Sequence, residues 1–242
     1  MLSKPICIIP ARGGSKRFPR KNISLLAGKP LLAYTIEAAL KSDVFDLICV
    51  SSEDEEILDV AERWGAEAVL KRPPELSGDR VPLKEVCAHL LEGFAKRGRH
   101  YSEFGLLLVT NPLRGPQDLI DAYKVFKSEN AAICMSLVPF AHPPQRAVMV
   151  NKKSGFVEPY FGGENMVQTQ LLEPLYRHDG SIIFAQTKVF LRTREFYGPG
   201  VVPFFVRPER SVDIDNPFDL AWAEFLIERA KFGSSKEEND NI

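Results

Sequence analysis

No apolar run in the sequence approaches the roughly 18 residues that span a bilayer. Its first residues, Met1-Leu2-Ser3-Lys4, lead straight into an apolar stretch without the pattern of a signal peptide. Both absences argue against a membrane partner and for a cytoplasmic protein. Cysteine is scarce: Cys7, Cys49 and Cys134 sit in strand-like apolar runs, Cys87 in a helical one, and no two are spaced C-x-x-C. They are expected to be small buried hydrophobes rather than disulfides, metal ligands or nucleophiles. Neither sign of charge dominates, and the formal net charge of −1 argues against a nucleic-acid binder, which would spread positive charge over a face. Also missing are internal repeats, the Gly-rich loop ending in Gly-Lys-Ser/Thr and the G-x-G-x-x-G fingerprint.

What is present is enough apolar residue, 45% of 242, to bury the core of one α/β domain. Apolar, β-branched runs at 5–10, 47–51, 67–70, 104–110, 131–138, 180–185 and 201–206 read as strands. Helical spacing at 31–40, after Ser52, at 83–96 and 117–128, near Val189 and at 217–231 fills the gaps. Such alternation predicts a doubly wound, mostly parallel sheet. The rhythm breaks from Pro139 to Arg177, where Pro143-Pro144 and Gly162-Gly163 predict an irregular excursion that covers a site or forms a dimer contact. A single domain is expected over 1–232, with a polar, disordered tail at 233–242.

The most informative stretch is Pro5 to Asn22. A buried strand ends at Pro10, and five of the ten residues from Arg12 to Lys21 are cationic, opening with Gly13-Gly14. A solvated basic loop needs no glycine pair at the carboxyl end of a buried strand, where ligands bind in open α/β sheets. A polyanion cradle does, because glycine lets backbone amides approach phosphate. Far along the chain, Asp213 and Asp215 lie two apart, so an extended backbone projects both carboxylates to one side. A hard divalent cation takes such a pair, with water and phosphate completing its shell; alternatively Asp215 or Asn216 merely caps the last helix.

Ala11-Arg12-Gly13-Gly14-Ser15-Lys16-Arg17-Phe18-Pro19-Arg20-Lys21-Asn22-Ile23 resembles the first signature of the acylneuraminate cytidylyltransferases, the CMP-sugar synthetases. Ser211 to Leu220 resembles their second. Segments at Lys71–Leu76, Leu107–Arg114 and Gln170–Phe184 agree in order, so the resemblance covers nearly the full chain. It implies a Rossmann-like nucleotidyltransferase fold, a homodimer, Mg²⁺ on Asp213 and Asp215, and transfer of CMP from CTP to a nine-carbon 2-keto sugar acid with release of pyrophosphate. Position by position, it implies that Arg12, Ser15, Lys16 and Lys21 meet the CTP phosphates, with Ala11, Gly13 and Asn22 framing the nucleotide. Arg72 and Ser77 fall near cytidine or its phosphates, and Arg12, Lys21 and the two aspartates carry the catalysis.

The departures from the family pattern cluster on the sugar side. Where it has L-L-Q-P-T-S-P, this chain has Leu106-Leu107-Leu108-Val109-Thr110-Asn111-Pro112, with Leu108 and Thr110 facing the sugar in the implied site; where it has N-G-x-I-Y, this chain has Asp179-Gly180-Ser181-Ile182-Ile183. Gln and Tyr are thereby replaced by Leu108 and Ile183. Arg114 either pairs with the sugar carboxylate or makes a structural contact. The expectation is preserved nucleotidyl chemistry with altered sugar recognition: N-acylneuraminate, or alternatively a pseudaminic, legionaminic or other modified nonulosonic acid, or a relative that binds nucleotide without catalysis.

Overall fold

The computed structural model describes residues 4–237. In chain order its elements are β1 (Ile6–Pro10), the two-residue strands β2 (Leu25–Leu26) and β3 (Lys29–Pro30), α1 (Leu31–Ser42), β4 (Leu47–Ser52), α2 (Glu55–Arg63) and β5 (Ala68–Lys71). Then come α3 (Leu83–Lys96), β6 (Glu103–Leu106), α4 (Pro116–Ser128), β7 (Ile133–Pro139), the hairpin β8 (Val148–Val150) and β9 (Val157–Pro159), β10 (Tyr176–Gln186), α5 (Thr187–Thr193), β11 (Val201–Phe205) and α6 (Pro217–Glu237). Seven strands form one sheet in the order β11-β7-β10-β6-β1-β4-β5. All pairings are parallel except those of β10, which runs antiparallel to both β6 and β7.

The core lies on both faces of this sheet. Successive residues of β1 serve opposite faces, as a strand's alternation requires: Cys7 and Ile9 pack with α1, α2 and α4, while Ile6 and Ile8 pack with α3 and α5. All four cysteines are buried and free, as expected of small apolar fillers.

Three sequence expectations shift. The strand expected to reach Thr110 ends at Leu106: Leu107 N–H still donates to Ile8 O at 3.1 Å, but the next ladder donor is the nitrogen of Pro10, which carries no hydrogen. Leu108 and Thr110 therefore lie in the loop beyond the sheet edge. The strand expected at 180–185 begins at Tyr176, because the excursion returns the chain antiparallel to β7. The last helix runs past Lys231 to Glu237, and the rest of the tail expected to be disordered, 238–242, lies outside the described residues.

Candidate active site

The chain leaves β1 at Pro10 and enters a cleft of about 370 Å³. Arg12, Ser15, Lys16, Lys21, Asn22 and Arg72 line it, together with Leu108, Thr110 and Asp215. The loop is built to hold this shape. Gly13 N–H donates to Glu53 Oε1 at 2.8 Å, and a Cβ at Gly13 would sit 2.4 Å from Asp54 Oδ2, so only glycine fits there. Asn22 Nδ2 donates to Arg12 O at 2.8 Å, tying the ends of the loop together. Arg20 takes a left-handed conformation, φ 58°, and pairs with Asp54 and Glu56, which turns the chain so that Lys21 points inward, nearly buried.

Each remaining cation of the loop meets a carboxylate. Arg12 and Lys16 share Asp79, at 2.9 and 2.6 Å. Arg17 and Lys21 share Asp215, at 2.7 and 2.8 Å. The hydrogen bond from Lys16, with the charges of Lys16 and Arg12, holds the Asp79 carboxyl below the usual aspartate range. Partial burial works against ionisation of Asp215, but the Lys21 bond and charge, followed by Arg17, win and hold it low. Asp79 and Arg17 are members of the site that sequence reasoning missed. Asp79 ends the turn Ser77-Gly78-Asp79, and nothing local in that turn reveals a partner 67 residues away.

Asp213 and Asp215 do not lie in a strand, yet the alternation expected of extended chain persists: Val212 and Ile214 are buried, and the two acids face outward. Ile214 N–H donates to Thr110 O at 2.8 Å, fixing this segment against the loop after β6. The helix cap belongs to Asn216, whose Oδ1 accepts from Phe218 and Asp219 N–H at 2.9 and 3.1 Å. Asp219 returns the favour to the backbone of Asp215 and Asn216. The Asp215 side chain is thus free of capping duty. Asp213 has its carboxyl pushed up by desolvation and by the charge of Asp215, against a hydrogen bond from Thr110. No group of three or more acidic, His or Cys ligands occurs among the described residues. Two neighbouring carboxylates that repel each other at the edge of a basic cleft do fit Mg²⁺, which keeps its other positions for water and phosphate oxygen.

Four more of the predicted residues make contacts within the chain. Ala11 is fully buried and its N–H donates to Ser51 O at 3.0 Å, so it anchors the loop to β4. Ser77 Oγ turns back to Pro73 O at 2.8 Å, away from the cleft. Arg72 is buried, with Nη2 on Ser51 O at 2.6 Å, and desolvation lowers its pKa. Arg114 is a correction to the sugar-facing reading: it is 3% exposed and donates to Ser181 O (2.8 Å), Thr35 Oγ1 (2.5 Å) and Leu108 O (3.0 Å). It is a structural residue that clamps the loop after β6 to β10 and α1.

Beside the cleft, and sharing Leu83 and Leu108 with it, lies a second cavity of about 240 Å³. Its walls include Leu106, Leu108, Met135, Ile183, Phe196 and Tyr197. Leu108 and Ile183, the two positions that break the sugar-side pattern, thus meet in one apolar compartment.

Cations for a polyphosphate and acids for a hard cation belong together in phosphoryl and nucleotidyl transfer. The sheet that carries them is that of nucleotidyltransferases. A CMP:2-keto-3-deoxy-manno-octonic acid synthetase complexed with CTP matches with a TM-score of 0.68 at 18% identity, covering 94% of this chain and all of that one. A 4-diphosphocytidyl-2C-methyl-D-erythritol synthase from Anaerococcus prevotii matches with a TM-score of 0.62 at 12% identity, covering 93% and 96%.

Residues 6–205 match the cytidylyltransferase family, and the chain belongs to it. Among its relatives, the pseudaminic acid cytidylyltransferase of Campylobacter jejuni is 35% identical over 92% of this chain and 96% of that protein. The CMP-N,N'-diacetyllegionaminic acid synthase of Legionella pneumophila is 33% identical over 92% and 96%. The N-acylneuraminate cytidylyltransferase of Escherichia coli is also 33% identical over 92% of this chain, but that covers 52% of the longer protein.

Proposed function

We propose that the protein transfers CMP from CTP to a modified nonulosonic acid of the pseudaminic or legionaminic type, in preference to N-acetylneuraminate. The observation that carries the sugar assignment is the apolar compartment walled by Leu108 and Ile183 beside the basic cleft. A sugar with methyl groups in place of hydroxyls rests on such a wall, whereas a hydroxyl there loses its hydrogen bonds. The relatives that match over nearly their whole length, whose names specify pseudaminic and diacetyllegionaminic acids, support the same choice.

In this reading Arg12, Lys16 and Lys21 exchange their carboxylate partners for the triphosphate, Asn22 frames the nucleotide, and Thr110 stands on the sugar side of the cleft. Asp213 and Asp215 would hold Mg²⁺, which when bound supplies positive charge to the phosphates. The anomeric oxygen of the sugar forms a bond to the α-phosphorus as the bond to pyrophosphate breaks, and the chain's contribution is to align the two. We assign the sugar's carboxylate to Arg177, whose charge reaches Asp213. A second copy of the chain is the partner we assign to the hairpin β8–β9, where Phe156, Val157, Tyr160 and Phe161 all stand exposed. Sedimentation tests that assignment; a monomer at micromolar concentration refutes it. The function itself is tested by pyrophosphate release with CTP and a panel of sugar acids. Turnover greatest with N-acetylneuraminate refutes the sugar assignment, and turnover with none refutes the enzyme.

A further inference from the structure

The apolar cavity beside the cleft carries one polar group whose hydrogen-bonding sense is fixed by the fold. His178, on β10, lines this cavity, and its Nδ1 lies 2.9 Å from the main-chain oxygen of Ser136 on β7. A carbonyl oxygen only accepts, so Nδ1 bears the hydrogen, and in the neutral ring Nε2 is left with a lone pair. The cation that lines this cavity, Lys84, is held by Glu195.

The ring's position is set by a buried polar knot. Between His178 and Ile183 the register of β10 against β7 shifts. Asp179, 2% exposed, fills the shift: its Oδ1 accepts from Ser136 Oγ (2.5 Å), Ser181 Oγ (2.9 Å) and Ser181 N–H (3.0 Å). Ser136 therefore anchors both His178 through its carbonyl and Asp179 through its hydroxyl. Gly180, at φ +79°, lets Leu108 close over it; a Cβ there would come within 3.0 Å of Leu108 Cδ1. Leu108 and His178 are thereby brought to the same compartment by one irregularity in β10.

We infer that His178 is a specificity-determining residue that reads an amide N–H, so that the sugar acid presents an acylamino group to this cavity. Nε2 accepts the N–H, and the acyl methyl, two bonds beyond the nitrogen, lies against Leu106, Met135 and Ile183. A hydroxyl in that position can donate to Nε2 but leaves the apolar volume unfilled, and a group with only acceptor oxygens meets a lone pair. This inference rests on the proposed sugar-activating function and assigns to His178 the reading of the acylamino group that such sugar acids carry.

The test uses the full-length protein, CTP, and a 5,7-diacetamido nonulosonic acid alongside analogues with hydroxyl in place of the C5 or the C7 acetamido group. Two variants separate recognition from architecture. In His178→Asn the side-chain amide nitrogen falls where Nδ1 was, keeping the bond to Ser136 and removing Nε2. In His178→Gln the amide reaches the place of Nε2 and abandons Ser136. The expected result is that wild type prefers the diacetamido acid over one of the analogues. His178→Asn should lose about tenfold in kcat/KM for the diacetamido acid, the worth of one hydrogen bond, with KM for CTP unmoved, and His178→Gln should retain most of the preference. A purely structural role gives the opposite order, with Asn tolerated and Gln damaged, and overturns the inference. So does an unchanged preference in both variants. If either variant fails to fold, the wild-type comparison still decides: equal kcat/KM for all three acids overturns the inference while leaving the sugar-activating function standing. Turnover of no sugar acid overturns both.

Discussion

Replacing Arg114 by alanine should unfold the protein more readily rather than spoil its sugar recognition. Three acceptors, the carbonyls of Ser181 and Leu108 and the Thr35 hydroxyl, depend on this guanidinium. Hydrogen bonds to a charged group are worth about 1.5–3 kcal/mol each. Against them stands the cost of burying the charge, which pulls the Arg114 pKa down to about 10, a penalty of roughly 3 kcal/mol. The balance predicts a net destabilisation of about 1.5–6 kcal/mol for Arg114→Ala. Arg114→Lys should fall between, because a single ammonium cannot reach three acceptors set by a planar fork. Urea denaturation followed by circular dichroism measures the difference, and kcat/KM is then taken on the folded fraction. If Arg114→Ala melts like wild type and only the KM for the sugar acid rises, the side chain faces substrate, as the family resemblance allows, and the clamp is wrong.

Asp213→Ala and Asp215→Ala should each abolish turnover with Mg²⁺ while preserving the circular dichroism spectrum; near-wild-type rates in either would remove that aspartate from the metal site. Lys21→Ala and Arg12→Ala should each weaken CTP binding by roughly 1.5–3 kcal/mol, read by calorimetry, and unchanged affinity in both would make the loop a solvated surface. Asp79→Asn should lower KM for CTP at low ionic strength, because Arg12 and Lys16 lose a competing partner, and the gain should shrink as salt screens it. A drop in kcat at unchanged KM would instead make Asp79 a substrate ligand. Leu108→Gln should move the ratio of kcat/KM values toward N-acetylneuraminate, and an unmoved ratio would remove Leu108 from the sugar wall.

Much of the fold could be read from the chain because strand and helix alternate with periods that differ by nearly a factor of two. The antiparallel setting of β10 could not, since Gly180 to Ala185 has the same apolar character whichever way it runs. Only the excursion preceding it, which returns the chain to the same sheet edge at Tyr176, determines the direction. At the site, the basic loop and the aspartate pair were legible because spacing alone restricts what they can do. Asp79 and His178 were not, because their roles come from partners 67 and 42 residues away. Arg114 was ambiguous for a related reason: an arginine after a strand end serves a ligand or its own backbone, and the sequence does not say which carbonyls lie within reach.

The two compartments divide the chemistry in a way that explains why the departures from the family pattern cluster. In the cleft, four loop cations share two carboxylates, so each is held in place by its own chain while the site keeps an excess of positive charge for a polyanion. Altering one of those cations or acids unbalances the rest, and such coupled groups tolerate substitution poorly. The apolar cavity has no such coupling on its open side: Leu108 and Ile183 meet substrate through dispersion and volume alone, and a change at either costs only about 1–3 kcal/mol in discrimination. Its back wall is different, because Asp179, Ser136 and Ser181 form a closed polar knot that fixes His178. Sugar preference can therefore shift through the apolar residues while the nucleotide chemistry, and the ring that His178 presents, stay where the sheet holds them.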